Sequence, residues 1–95
     1  MSDAEERGLF VISVAAELVG LHPQTLRHYE REGLVVPART AGGIRLYGRR
    51  DLARLRRIAE LTAEGVNLAG VRRVLDLEER LSRAPGSRTG ATMER

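Results

Sequence analysis

Two helix-length stretches separated by a forced break constrain this chain most. In the 95-residue sequence, SVAAELVG is followed by Leu21-His22 and then by PQTLRHYEREG, so Gly20 and Pro23 bracket a turn whose position is fixed. Ser13 precedes an apolar run and suits a helix N-cap, where its hydroxyl can accept from a free backbone N–H two or three residues on. Val14, Leu18 and the neighbouring alanines then form an apolar face, and Gly20 suits the left-handed position just past a helix end. His22-Pro23 restarts the helix, because proline at the first helical position sacrifices no hydrogen bond and holds a suitable φ. The second helix is expected over residues 23–32, closed by Gly33.

Wound at about 100° per residue, that second helix puts Leu26, Tyr29 and Gly33 on one side and Gln24, Arg27, His28 and Arg31 on the other. Arginine pairs bidentately with guanine and glutamine with adenine, so the polar stripe is chemically able to read major-groove edges. An ordinary solvated face would look the same in isolation; what surrounds it tips the balance. Residues 34–36 and 44–47 are β-prone, and Pro37, Gly42 and Gly43 between them supply the turn chemistry of a hairpin. The hairpin tip is Arg39-Thr40-Ala41-Gly42-Gly43. Arg45 and Tyr47, two apart on the returning strand, share a face and can point together at a phosphate backbone or a minor groove. The competing arrangement packs Tyr47 in the core and leaves Arg45 solvated.

Charge is distributed in the way such a unit requires. The formal net charge is +3, but residues 1–20 sum to −3, residues 21–57 to +6 and residues 58–95 to zero. The excess lies on the two-helix and hairpin segment, where phosphate neutralisation and counterion release would supply affinity. With no cysteine there is neither a disulfide nor a thiolate metal site, which fits a reducing compartment. His22 and His28 alone do not make a metal site. The acidic start MSDAEERG lacks an apolar targeting core and nowhere do enough apolar residues run together to cross a membrane, so a cytoplasmic location is expected.

Downstream the pattern returns to helix. Over residues 51–64, Leu52, Leu55, Ile58, Ala59 and Thr62 form one stripe with Arg50, Arg54 and Arg57 opposite, while Glu60 is a helical neighbour of Arg56 and Arg57. Gly65 ends that helix and Asn67 caps the next, over residues 68–82, in which Leu68, Val71 and Leu75 face a core. A second stripe of Gly70, Val74, Leu77 and Leu81 matches one heptad of a helix-pairing seam, with Gly70 permitting close approach. A seam that short predicts a monomer or weak dimer in solution, with pairing helped by DNA. The expected organisation is a flexible acidic segment over residues 1–8, one domain over residues 9–83, and a disordered tail over residues 84–95, which is rich in small and polar residues.

With these residues in place, the chain resembles the MerR family of bacterial transcription regulators over roughly residues 11 to 82. The shared features are IS-x-x-A, TLRHYEREGL, the R-x-Y pair at Arg45 and Tyr47, and a helix beginning DLARLRRI. Within the family, RTAGGIRLY and EGVNLAGVRRVLDL are most similar to the heat-shock-repressor (HspR) branch. The resemblance implies a mainly α winged helix-turn-helix with a short two-stranded wing. Gln24, Thr25, Arg27 and His28 would face the major groove, Ser13, Arg45 and Tyr47 would contact the backbone, and Tyr29 would be partly packed. With Arg31 and the wing-tip residues Arg39, Thr40 and Gly43, these make the candidate DNA-binding set; Val74, Leu77 and Leu81 are the candidate self-association set. It further implies a repressor that acts on duplex DNA and, by resemblance alone, the chaperone DnaK as a partner; many members of the family carry an effector domain, but this chain stops after one short helix, so neither an effector domain nor a cofactor is expected. An excisionase-type DNA-bending factor and a protein-binding adaptor are the alternatives. No enzyme is expected, since neither histidine has an evident catalytic partner and no nucleophile motif or phosphate loop occurs.

Overall fold

The computed structural model describes residues 8–83, which form two compact units, one ending at Glu60 and the other beginning at Leu61. The described residues are mainly helical: α1 (Ile12–Val19), α2 (Pro23–Arg31), α3 (Arg49–Ala63) and α4 (Leu68–Arg83), with a two-stranded antiparallel sheet of β1 (Ala38–Arg39) and β2 (Arg45–Leu46). This is the expected winged helix-turn-helix. Of the expected acidic segment over residues 1–8, residues 1–7 lie outside the described residues, as does the whole of the expected tail over residues 84–95.

In the first unit, α1 and α2 touch each other, and Ala15, Ala16 and Leu26 are buried. Small side chains at 15 and 16 let the helix backbone come close to its neighbours. Gly20 ends α1 at φ 72°, in the left-handed region, and its N–H returns to the carbonyl of Glu17 at 3.2 Å. Two expectations about α1 are corrected. Ser13 is not the cap: Val11 holds that position in extended conformation without a side-chain bond, and Ser13 is an exposed residue of the first turn. The chain is fixed one step earlier, because Phe10 exchanges two backbone bonds with Tyr47, at 2.9 and 2.7 Å. Val14 and Leu18 are 40% and 48% exposed, so the buried face of α1 is the alanine face and not theirs.

The hairpin also shifts. Its strands were expected over residues 34–36 and 44–47, yet Leu34, Val35 and Pro37 are buried in a non-strand connection and pairing begins at Ala38. Ala38 pairs with Leu46 and Arg39 with Arg45. The tip closes when Gly43 N–H donates to the Thr40 carbonyl at 2.9 Å and Ile44 N–H to Thr40 Oγ1 at 3.1 Å. Gly43 has φ 87°, the left-handed conformation of a bulge residue.

In α3, Leu52, Leu55 and Ile58 are buried as expected, and Leu61 is buried in place of the half-buried Ala59 and Thr62. Asp51 Oδ2 reaches back to Gly48 N–H at 2.8 Å, half of a capping box. Arg54, expected in an outward row, is half-buried and donates from Nε to the carbonyl of Leu34, tying α3 to the segment after α2. Arg57 pairs with Glu60 at 3.0 Å.

The second unit buries Leu61, Val71 and Leu75, with Leu68 half-buried. Asn67 Oδ1 caps α4 by accepting from Gly70 N–H at 2.9 Å. A side chain at Gly70 would lie 2.8 Å from Val66 Cγ1, so this glycine makes room for Val66 of its own chain.

Candidate nucleic-acid interface

The proposed reading residues lie on α2, and its start is built by two of them with His22. Pro23 has no N–H to satisfy, and the Gln24 N–H, in the first turn of α2, has no helical acceptor. His22 Nδ1 accepts it at 2.9 Å, which places the ring proton on Nε2. Gln24 Oε1 in turn accepts from Arg27 Nη1 at 2.8 Å. The imidazole thus holds the Gln24 backbone and the Arg27 guanidinium holds its side-chain amide, both at the start of α2. His22 was not singled out in the sequence beyond its place before proline, because hydroxyl and amide side chains are the usual caps.

Gln24 and Arg31 are exposed and Thr25, Arg27 and His28 half-buried, while Leu26 and Tyr29 face inwards at 0% and 7% exposure. The helical geometry thus brings Gln24, Arg27, His28 and Arg31 onto one accessible side. Ser13 stands apart on α1, where the ladder opens with Ala15 N–H to the Val11 carbonyl; the N–H groups of Ile12, Ser13 and Val14 precede it.

Glu30, which the sequence reading passed over, organises the other half of the site. Its Oε1 accepts from Arg45 Nε at 2.5 Å and its Oε2 from Arg39 Nη2 at 2.7 Å. Arg39 Nη1 also donates to the Gly43 carbonyl at 3.0 Å, bracing the wing tip. Partial burial alone would raise the Glu30 carboxyl, but hydrogen bonds and charge from Arg45 and Arg39 outweigh it and hold its pKa below the ordinary value. The same bond raises the pKa of Arg45 further. A signal for this lay in the sequence: a carboxylate one turn from the reading face, followed by two arginines at opposed positions of a hairpin.

Tyr47 corrects an expectation. It was placed beside Arg45 at the DNA backbone, but its side chain is fully buried and its hydroxyl has no hydrogen-bond partner among the described residues. The two-stranded ladder ends at Leu46, and the Phe10 bridge draws Tyr47 inwards, so the period-two argument no longer applies to it. Burial pushes its phenol up, which keeps it neutral. Thr40 and Gly43 are exposed but serve the turn. On α4, Leu77 and Leu81 are 51% and 63% exposed and Val74 half-buried. Among the described residues, no group of three or more His, Cys, Asp or Glu is placed to hold a metal ion, and no helix is long and apolar enough to cross a membrane.

Residues 10–78 match the MerR HTH family of regulatory proteins. A Streptomyces coelicolor protein assigned as heat shock protein HspR is 53% identical over 79 residues, covering 82% of this chain and 52% of its own. The HTH-type transcriptional regulator GlnR of Bacillus anthracis is 35% identical over 82 residues, covering 86% of this chain and 64% of its own. The chain thus spans about half to two thirds of the length of these relatives. A crystal structure of HiNmlR, a MerR family regulator lacking the sensor domain and bound to promoter DNA, superposes with a TM-score of 0.69 at 31% identity, over 78% of this chain and 63% of that one.

Proposed function

The chain belongs to the MerR family of helix-turn-helix regulatory proteins, and from that membership we propose that it binds double-stranded DNA sequence-specifically in the cytoplasm and acts as a transcriptional repressor of the HspR type. It works by binding and not by catalysis. The observation that carries this reading is the accessible stripe of Gln24, Arg27, His28 and Arg31 on α2, with a wing fastened to the same helix through Glu30. In this reading α2 enters the major groove, where Arg27 and Gln24 reach base edges. The wing presents Arg39 and Arg45 to the backbone, and the free N–H groups at the start of α1, with Ser13, take a phosphate. HiNmlR, described as bound to promoter DNA, supports the same docking for this chain.

Selection from a library of random duplexes tests the proposal. The expected result is recovery of one sequence motif. Retardation without a recovered motif would remove sequence specificity, and no retardation of any duplex at low salt would remove nucleic-acid binding and favour a protein-binding adaptor.

A further inference from the structure

Arg39 and Arg45 face each other directly across the wing ladder, an arrangement that is destabilising for like charges unless a counter-ion lies between them. Glu30 supplies it. The carboxylate comes from α2, one helical turn beyond Leu26 and three residues beyond Arg27, so it emerges at the edge of the reading face. Each oxygen takes one arginine, with side-chain exposures of 21% for Glu30, 27% for Arg45 and 45% for Arg39. Arg45 is gripped through Nε alone, and neither of its Nη groups has a further hydrogen bond among the described residues. The fork of its guanidinium is left aimed and unspent.

We infer that Glu30 is a positioning residue for nucleic-acid recognition: by gripping Arg39 and Arg45 it locks the wing to the reading helix, so that the two engage DNA as one preformed unit. The inference rests on the DNA-binding function proposed above. Simple electrostatics points the other way, since a carboxylate beside a polyanion should only cost affinity. Pre-organisation offsets that cost by sparing the complex the ordering of two long side chains and a hairpin. The cluster still carries one net positive charge, so attraction to phosphate survives. Glu30 therefore exchanges some non-specific attraction for discrimination.

The test compares Glu30→Gln and Glu30→Asp with the wild-type chain on the selected duplex and on a scrambled duplex of the same composition. Glu30→Asp keeps the charge but draws the carboxylate back by a methylene. Both variants are expected to weaken the selected duplex by about tenfold without weakening the scrambled one, and the effect of Glu30→Gln should largely vanish in an R39A/R45A background. Equal tightening on both duplexes by Glu30→Gln with no change for Glu30→Asp would overturn the inference, as would an undiminished loss in the R39A/R45A background. Should Glu30→Gln fail to fold, Glu30→Asp and R39A/R45A carry the comparison: each must lower the ratio of selected to scrambled affinity, and an unchanged ratio overturns the inference. The Arg45 Nε–H resonance reports the grip in the free protein, protected in the wild type and exposed in Glu30→Gln. If it behaves so while the wild type retards no duplex, the grip stands and the DNA-binding reading fails. Equal exposure in both proteins would mean that there is no grip.

Discussion

At His22 an imidazole does the work usually left to a short hydroxyl or amide, accepting from the first N–H of α2, that of Gln24. His22→Ala is expected to lower unfolding free energy by about 1 kcal/mol in urea titration, whereas His22→Asn should preserve it. Equal losses for both would show that the cap contributes nothing. Tyr47 is the opposite case, a polar atom carried inside without a partner. Because an unsatisfied buried hydroxyl costs about 1–3 kcal/mol, Tyr47→Phe should leave stability unchanged or raised, with DNA binding intact. A loss of binding on that change would return the hydroxyl to the DNA backbone. Residue identities on α2 were legible because helical periodicity alone assigns Leu26 and Tyr29 inwards and Gln24, Arg27, His28 and Arg31 outwards. Tyr47 and Ser13 were misplaced for a shared reason: both depend on the Phe10–Tyr47 bridge, a pairing of residues far apart in sequence that local pattern does not encode.

Among the elements, both helix starts after a glycine turn were readable from Pro23 and Asn67, whose chemistry is local. The strands were not, because Leu34 and Val35 look β-prone for the same reason that they are buried, and apolar content alone does not separate a strand from a packed connection. The hairpin's own signal was its glycine pair. With φ 87° at position 43, Gly43→Ala should cost about 1 kcal/mol and speed exchange of the amides of Thr40, residue 43 and Ile44, whose N–H groups close the tip. Slow exchange in that variant would mean that the tip tolerates a side chain. The junction of wing and α2 also has a pH signature. The Glu30 pKa is depressed in the folded chain, so the stability it confers is fully present above its ordinary value of 4.5 and is lost as pH falls through the lower, folded value. Wing amide protection is therefore expected to be flat from neutrality down to about pH 5 and to fall in stronger acid. Loss of protection near pH 6 would implicate another group.

For the whole molecule, the partition of charge along the chain was the best guide, since it marks residues 21–57, where α2 and the wing lie. The apolar stripe of Val74, Leu77 and Leu81 on α4 was visible for the same reason: a helix with two apolar faces buries one, and the other stays accessible. We propose that this face pairs copies on DNA. Leu77→Gln with Leu81→Gln should abolish joint occupancy of neighbouring half-sites in footprinting while leaving single half-site affinity unchanged, and undiminished joint occupancy would place the pairing surface elsewhere. Two-fold pairing further predicts half-sites in inverted repeat. The central claim is that α2 reads bases, and the most direct measurement is the affinity of Arg27→Ala for the selected duplex and for random duplex at one salt concentration. The account predicts a loss of about 1–3 kcal/mol on the selected duplex with little change on the random one, so that sequence preference flattens. Equal losses on both would contradict it, since Arg27 would then be touching only the backbone.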